Sequence, residues 1–268
     1  MKAKFFCILC LMSLSLASYS APRIVVQELG TTTEALTIQH SDSDDLNGIL
    51  AVMVSPTPWH PVNTNPADQE AAFTDGQGLG GLTGLLNDCL RGCGTSANQN
   101  VPAAVAEWYF SEPHNIAELR VFTGNYGHDG RIFHHYDVAM TTDPFPEGAS
   151  YDVPLIEEVT PVPSGIPGVG GFGLVGNPNP PGTYEASLSV VNDDAGGPLA
   201  EGVTGMRITF YQVSNTAGAF RDDWNAGEGD DRDGQDAGFE SPLVYEVDLF
   251  FGNAPITNPT GVTDWSLY

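Results

Sequence analysis

Lysine is almost missing from this chain. Lys2 and Lys4 are the only two, and everything after them carries seven arginines against 34 acidic residues. The formal charge of the whole chain is −25, and it moves to −27 if the first twenty residues, which hold both lysines and no acid, are removed. That balance excludes the basic patch that nucleic acid or an anionic membrane surface requires, and it favours cations and a salty medium. Long apolar runs are missing too. The longest, Phe5 to Leu16, falls short of the roughly 20 residues a membrane helix needs, so no membrane insertion is expected. There is no Walker loop, no G-x-S-x-G and no G-x-G-x-x-G after a strand, which removes the best-marked nucleotide and hydrolase sites. No long amphipathic helix and no internal repeat is visible.

Cysteine is scarce. Cys7 and Cys10 lie in the apolar start, and only Cys89 and Cys93 remain beyond it. The start reads as an export signal over residues 1–20: two lysines, the short apolar run, then small residues at Ala17, Ser18 and Ser20. A secreted or extracellular location follows, with a periplasmic or cell-surface one as variants. In that oxidising setting an even pair of cysteines predicts one disulfide, Cys89 to Cys93, closing a very small ring.

What is abundant is glycine and proline, 31 and 20 residues, set between short apolar runs. This predicts an all-β domain over 21–253 with long Gly/Pro-rich and acidic loops, followed by a tail over 254–268. Strands are expected at Arg23–Leu29, Ala35–Gln39, Trp108–Phe110, Ile116–Thr123, Ile132–Thr141, Tyr151–Thr160, Tyr184–Val191, Val203–Val213 and Val244–Gly252. Pro154 pushes its strand toward an edge. Leu46 to Val54 is apolar enough to be a buried strand or a short helix. Trp59 and His60 sit in a proline-rich loop, where the tryptophan either caps the core or stacks on a sugar.

The stretch Glu107 to Asp143 contains, in order, Trp108, Ile116, Leu119-Arg120-Val121, Asp129-Gly130-Arg131 and Tyr136-Asp137-Val138. Near the end come Gly205-Met206-Arg207-Ile208-Thr209-Phe210 and Val244-Tyr245-Glu246-Val247-Asp248-Leu249-Phe250-Phe251-Gly252. Together these resemble the discoidin-like domains, the galactose-binding-like jelly-roll β-sandwich also found as the C-type domains of coagulation factors V and VIII. The resemblance covers about half the chain beyond residue 20.

The resemblance implies a structural calcium. Asp75, in Phe73-Thr74-Asp75-Gly76, stands where that family places its early D-G turn, and Glu246 stands where a glutamate near the final strand completes the site. Calcium takes six to eight oxygen ligands. A plain turn with a surface glutamate is the alternative. The Gly-rich run from Gly76 to Gly84 departs from the family's shorter loop. Sugar-binding members use loops at one end of the sandwich, offering an aromatic plane and polar side chains. Here Asn125, Tyr126, His128 and Arg131 form one such loop, and Arg221, Trp224 and Asn225 form another. Asp129 with Arg131 as an ion pair, and Trp224 tucked under its own loop, are the competing readings.

His128, His134 and His135 cluster beside Asp129 and Asp137, but adjacent strand residues face opposite sides, which disfavours one shared metal. The acidic loop around Asp231, Asp233 and Asp236 lacks the EF-hand glycine at its sixth position. No acid pair is marked for hydrolysis. The expectation is an exported, non-catalytic protein that binds extracellular carbohydrate or another cell-surface ligand. The alternatives are a structural or adhesive matrix protein, and behind it a polysaccharide hydrolase. The oligomeric state is not legible in the sequence.

Overall fold

The structure is a computed structural model. It describes residues 22–29, 40–60, 69–78, 81–82, 84–87, 102–124, 134, 136–151, 153–159, 186–211, 213–214, 239–240 and 242–254. Among these, the chain is almost entirely β. In chain order the strands are β1 (Pro22–Leu29), β2 (Val52–Met53), β3 (Gly84–Leu85), β4 (Pro102–Gly124), β5 (Tyr136–Thr141), β6 (Val153–Val159), β7 (Ala186–Asp193), β8 (Ala200–Tyr211), β9 (Val213–Ser214), β10 (Phe239–Glu240) and β11 (Leu243–Phe251). One 3-10 turn, Ala71–Phe73, precedes β3.

β4 organises the fold. Its first half, Pro102 to Tyr109, pairs antiparallel with β8, and β2 lies along its other side at Ala106 and Glu107. Its second half runs between β7 and β11, from Ile116 to Gly124. Between the halves the register shifts twice, around exposed Ser111, Glu112 and Pro113. Proline cannot donate to a ladder, so the pairing breaks there and the strand changes partners. The path β1-β7-β4-β8-β5-β6 is therefore one antiparallel sheet folded back over itself, with a sandwich-like core between its two halves. Ala104, Ala106 and Trp108 from the first half cluster with Leu119 and Val121 from the second, joined by Tyr136, Val138, Ile208, Phe210, Val247 and Leu249. Alternation explains this placement, since every second residue of each strand faces inward.

Most expected strands are present with shifted ends. β6, which carries Pro154, ends the path as an edge strand. Leu46 to Val54 differs from expectation. Leu46 is fully buried, but residues 45–48 form a turn with Gly48 at φ +78°, and only Val52 and Met53 pair with β4. Ile49, Leu50, Val52 and Val54 are exposed, Leu50 at 59%. The turn uses up the residues that a longer strand would need. Trp59 packs against the core, with its ring 5.6 Å from that of Phe73, so it caps the core. Ala35–Gln39 and residues 1–20 lie outside the described residues.

Candidate metal centre

Phe73 anchors the first component. It is fully buried, with its ring 6.0 Å from that of Trp108 and 5.9 Å from that of Phe210. Thr74 follows, its hydroxyl donating to the Ile49 carbonyl at 2.9 Å while its own carbonyl accepts from the Gly48 N–H at 2.8 Å. The chain then turns through Gly76 and Gly78, at φ +69° and +52°, a region that side-chain-bearing residues rarely occupy. Asp75 organises this turn: Oδ1 accepts the Gln77 N–H at 2.8 Å and Oδ2 the Leu82 N–H at 2.7 Å. A Cβ on Gly81 would crowd both carboxylate oxygens of Asp75, so any larger residue there would have to displace that carboxylate.

Glu246 arrives from β11. A register shift between Val244 and Glu246 sets it on the face opposite Val247 and Leu249. Its Oε2 accepts the N–H groups of Gln77 at 3.2 Å and Gly78 at 3.3 Å. The two residues singled out for calcium thus meet at one turn. Glu246 is 1% exposed, and its Oε1 is buried with no hydrogen-bond partner. Burial, then the charge of Asp248, then that of Asp75 push its carboxyl up to about 9. A buried glutamate with an orphaned oxygen, beside a second carboxylate, is a donor set that suits a hard cation. No group of three His, Cys, Asp or Glu side chains fit to hold a metal forms among the described residues, so two carboxylates are what the side chains offer.

The acidic face continues along β11. Asp248 faces Arg120 in register, and Arg120 NH2 lies 2.6 Å from Glu118 Oε1 and its guanidinium 4.8 Å from the Phe250 ring centre. Asp44 reaches the same strand, its Oδ1 accepting the Leu249 N–H at 3.2 Å. Sequence reading missed Asp44 and Asp248. Their one signal was an acidic residue inside an apolar strand, Asp248 in Val247-Asp248-Leu249.

A second polar cluster lies on the outer face of β4 and β8. Glu107 accepts from Arg207 and from Tyr109, and Arg207 stands 4.2 Å over the Tyr151 ring. Burial, then the charge of Glu107, pushes the Tyr151 phenol up to about 12.

The candidate sugar contacts Asn125, Tyr126, His128, Arg131, Arg221, Trp224 and Asn225 lie outside the described residues, as do Cys89, Cys93 and His135. The strands that bound the two loops are described. Tyr136, the first residue of β5, pairs with Phe210, next to the last residue of β8. Across that join Tyr211 donates a 2.6 Å hydrogen bond to Asp137 Oδ2. His134 is buried with its ring edge-on to Tyr136. No described helix is long and apolar enough to cross a membrane. No family model, curated protein or solved structure matches the chain.

Proposed function

We propose that this protein is an exported, non-catalytic binding protein of the discoidin-like, galactose-binding-like type. It recognises extracellular carbohydrate or another cell-surface ligand through loops at one end of a jelly-roll sandwich. One observation carries this reading. The strand that ends the first candidate loop and the strand that leads toward the second are paired at Tyr136 and Phe210 and tied by Tyr211 and Asp137. The residues bounding the two loops therefore share one end of the sheet, as a two-loop sugar site requires.

A structural calcium belongs to the same proposal. Asp75 and Glu246 would hold it, and backbone carbonyls and water would supply the remaining oxygens. The ion would neutralise the buried Glu246 carboxylate and fix the turn. The test is thermal unfolding with calcium, with chelator, and then across a glycan panel. Calcium raises the melting temperature, and Asp75→Ala or Glu246→Ala removes the rise. One sugar class raises it further, and Trp224→Ala or Arg131→Ala removes that increment. If no glycan has any effect, the carbohydrate reading fails.

A second reading, adhesion by self-association, draws support from Ile49, Leu50, Val52 and Val54. These exposed apolar residues lie in a stretch, Leu46 to Trp59, without a single charge in an otherwise strongly acidic chain. Concentration-dependent mass, lost in Leu50→Glu, would favour it.

A further inference from the structure

Asp44 and Asp248 are 7% and 2% exposed. Each has one carboxylate oxygen held by backbone N–H groups. Asp44 Oδ1 takes those of Leu46 at 2.8 Å and Leu249 at 3.2 Å, and Asp248 Oδ2 takes that of Ser41 at 2.8 Å. The other oxygen of each, Asp44 Oδ2 and Asp248 Oδ1, is buried with no hydrogen-bond partner. A buried polar atom left unpaired is destabilising, more so when charged, and two such oxygens on adjoining acids add mutual repulsion. Arg120 faces Asp248 in register, but its charge is shared with Glu118, 2.6 Å away. The Ser41-Asp42-Ser43-Asp44-Asp45 turn that delivers Asp44 carries an oxygen on every side chain.

We infer that Asp44 and Asp248 form a second divalent-cation site, separate from the Asp75 turn, that fastens residues 41–48 to the open edge of β11. The backbone supports this role. Asp45 N donates to the Leu249 carbonyl at 2.8 Å, and Asp45 Oδ2 accepts the Phe251 N–H at 2.6 Å, so the turn replaces a neighbouring strand along that edge. A cation bridging Oδ2 of Asp44 and Oδ1 of Asp248 neutralises both acids and locks the turn in place. Calcium suits the all-oxygen donors.

The experiment is a calcium chloride titration of the chelator-treated chain by calorimetry, with native mass spectrometry counting bound ions. The unaltered protein binds two ions. Asp44→Asn binds one, and Asp248→Asn does the same. Asp44→Asn is also expected to unfold at a higher temperature than the unaltered protein in chelator, because an amide at that place donates to Asp248 Oδ1. That rise distinguishes a lost metal ligand from a damaged fold. Glu246→Gln also binds one ion, through the other site, and the Asp44→Asn/Glu246→Gln double variant binds none. If Asp44→Asn and Asp248→Asn bind as many ions as the unaltered protein, the inference is overturned. If Asp44→Asn loses one ion and Glu246→Gln loses none, this site stands and the Asp75 turn site does not.

Discussion

Glu107 and Arg207 face each other across β4 and β8, and a single carboxylate oxygen, Glu107 Oε1, accepts both Nε at 2.7 Å and NH2 at 2.5 Å. The other oxygen takes the Tyr109 hydroxyl at 2.5 Å. Glu107 is 2% exposed, whereas a third of the Arg207 side chain meets solvent. Removing the arginine therefore strands a buried acid. Arg207→Met should destabilise the protein by about 2 kcal/mol, less than a fully buried pair because solvent screens the guanidinium. Glu107→Gln should be milder, since the amide oxygen still accepts from Arg207. Urea denaturation of both variants checks the order.

Gly81 has no room for a side chain beside Asp75. Gly81→Ala should push the carboxylate out of its two backbone hydrogen bonds and cost about 1–3 kcal/mol. Its larger effect should be on metal response, with calcium no longer raising the melting temperature. A normal calcium shift in Gly81→Ala would show that Asp75 is not a ligand.

In chelator, stability should fall as pH rises. The Glu246 carboxyl is raised from an ordinary value near 4.5 to about 9 in the folded protein, chiefly by burial. A raised group stabilises the fold while protonated, so its contribution is complete below about pH 4.5 and is lost progressively up to about pH 9. Asp248 and Asp44 are raised as well and act in the same direction. Calcium should flatten this slope by supplying the positive charge that the proton provided. Melting temperatures from about pH 5 to 9, with calcium and with chelator, test both the sign and its removal, and Glu246→Gln should flatten the chelator curve.

Tyr211→Phe removes the hydrogen bond to Asp137 and leaves the ring in place. The expected loss of stability is about 1 kcal/mol. If the strand ends position the two candidate loops, glycan affinity should fall further than this change in stability alone can explain. Unchanged affinity would dissociate that join from binding.

The strands were legible because their alternation is strong. Leu119 and Val121 against Arg120 and Phe122 reads directly from the chain, and the strand is there. What was not legible was that Trp108 to Phe110 and Ile116 to Thr123 belong to one long strand, since Pro113 and Asn115 signal a turn. The proline does interrupt pairing, but the chain stays extended and only changes partners. Leu46 to Val54 misled for another reason: apolar content predicts burial only when both ladder edges are satisfied, and here a two-residue strand is all that pairs. Asp75 and Glu246 were singled out through a resemblance in order and spacing, and the structure brings both to the turn at Gln77. Asp44 and Asp248 escaped notice because the need for a partner at each appears only once the 41–48 turn lies against β11.

The change of partners within β4 also governs when the protein can fold. Its second half is hydrogen-bonded on one side by β11, which lies more than a hundred residues later, and on the other by β7. Pairings so distant in sequence carry a large loop-closure penalty and make folding slow. During synthesis the path from β1 to β6 can pair once residue 211 has emerged, but the core lacks Val244, Val247 and Leu249 until β11 follows. Among the described strands, β11 is therefore the last that can pair with β4 as the chain is made.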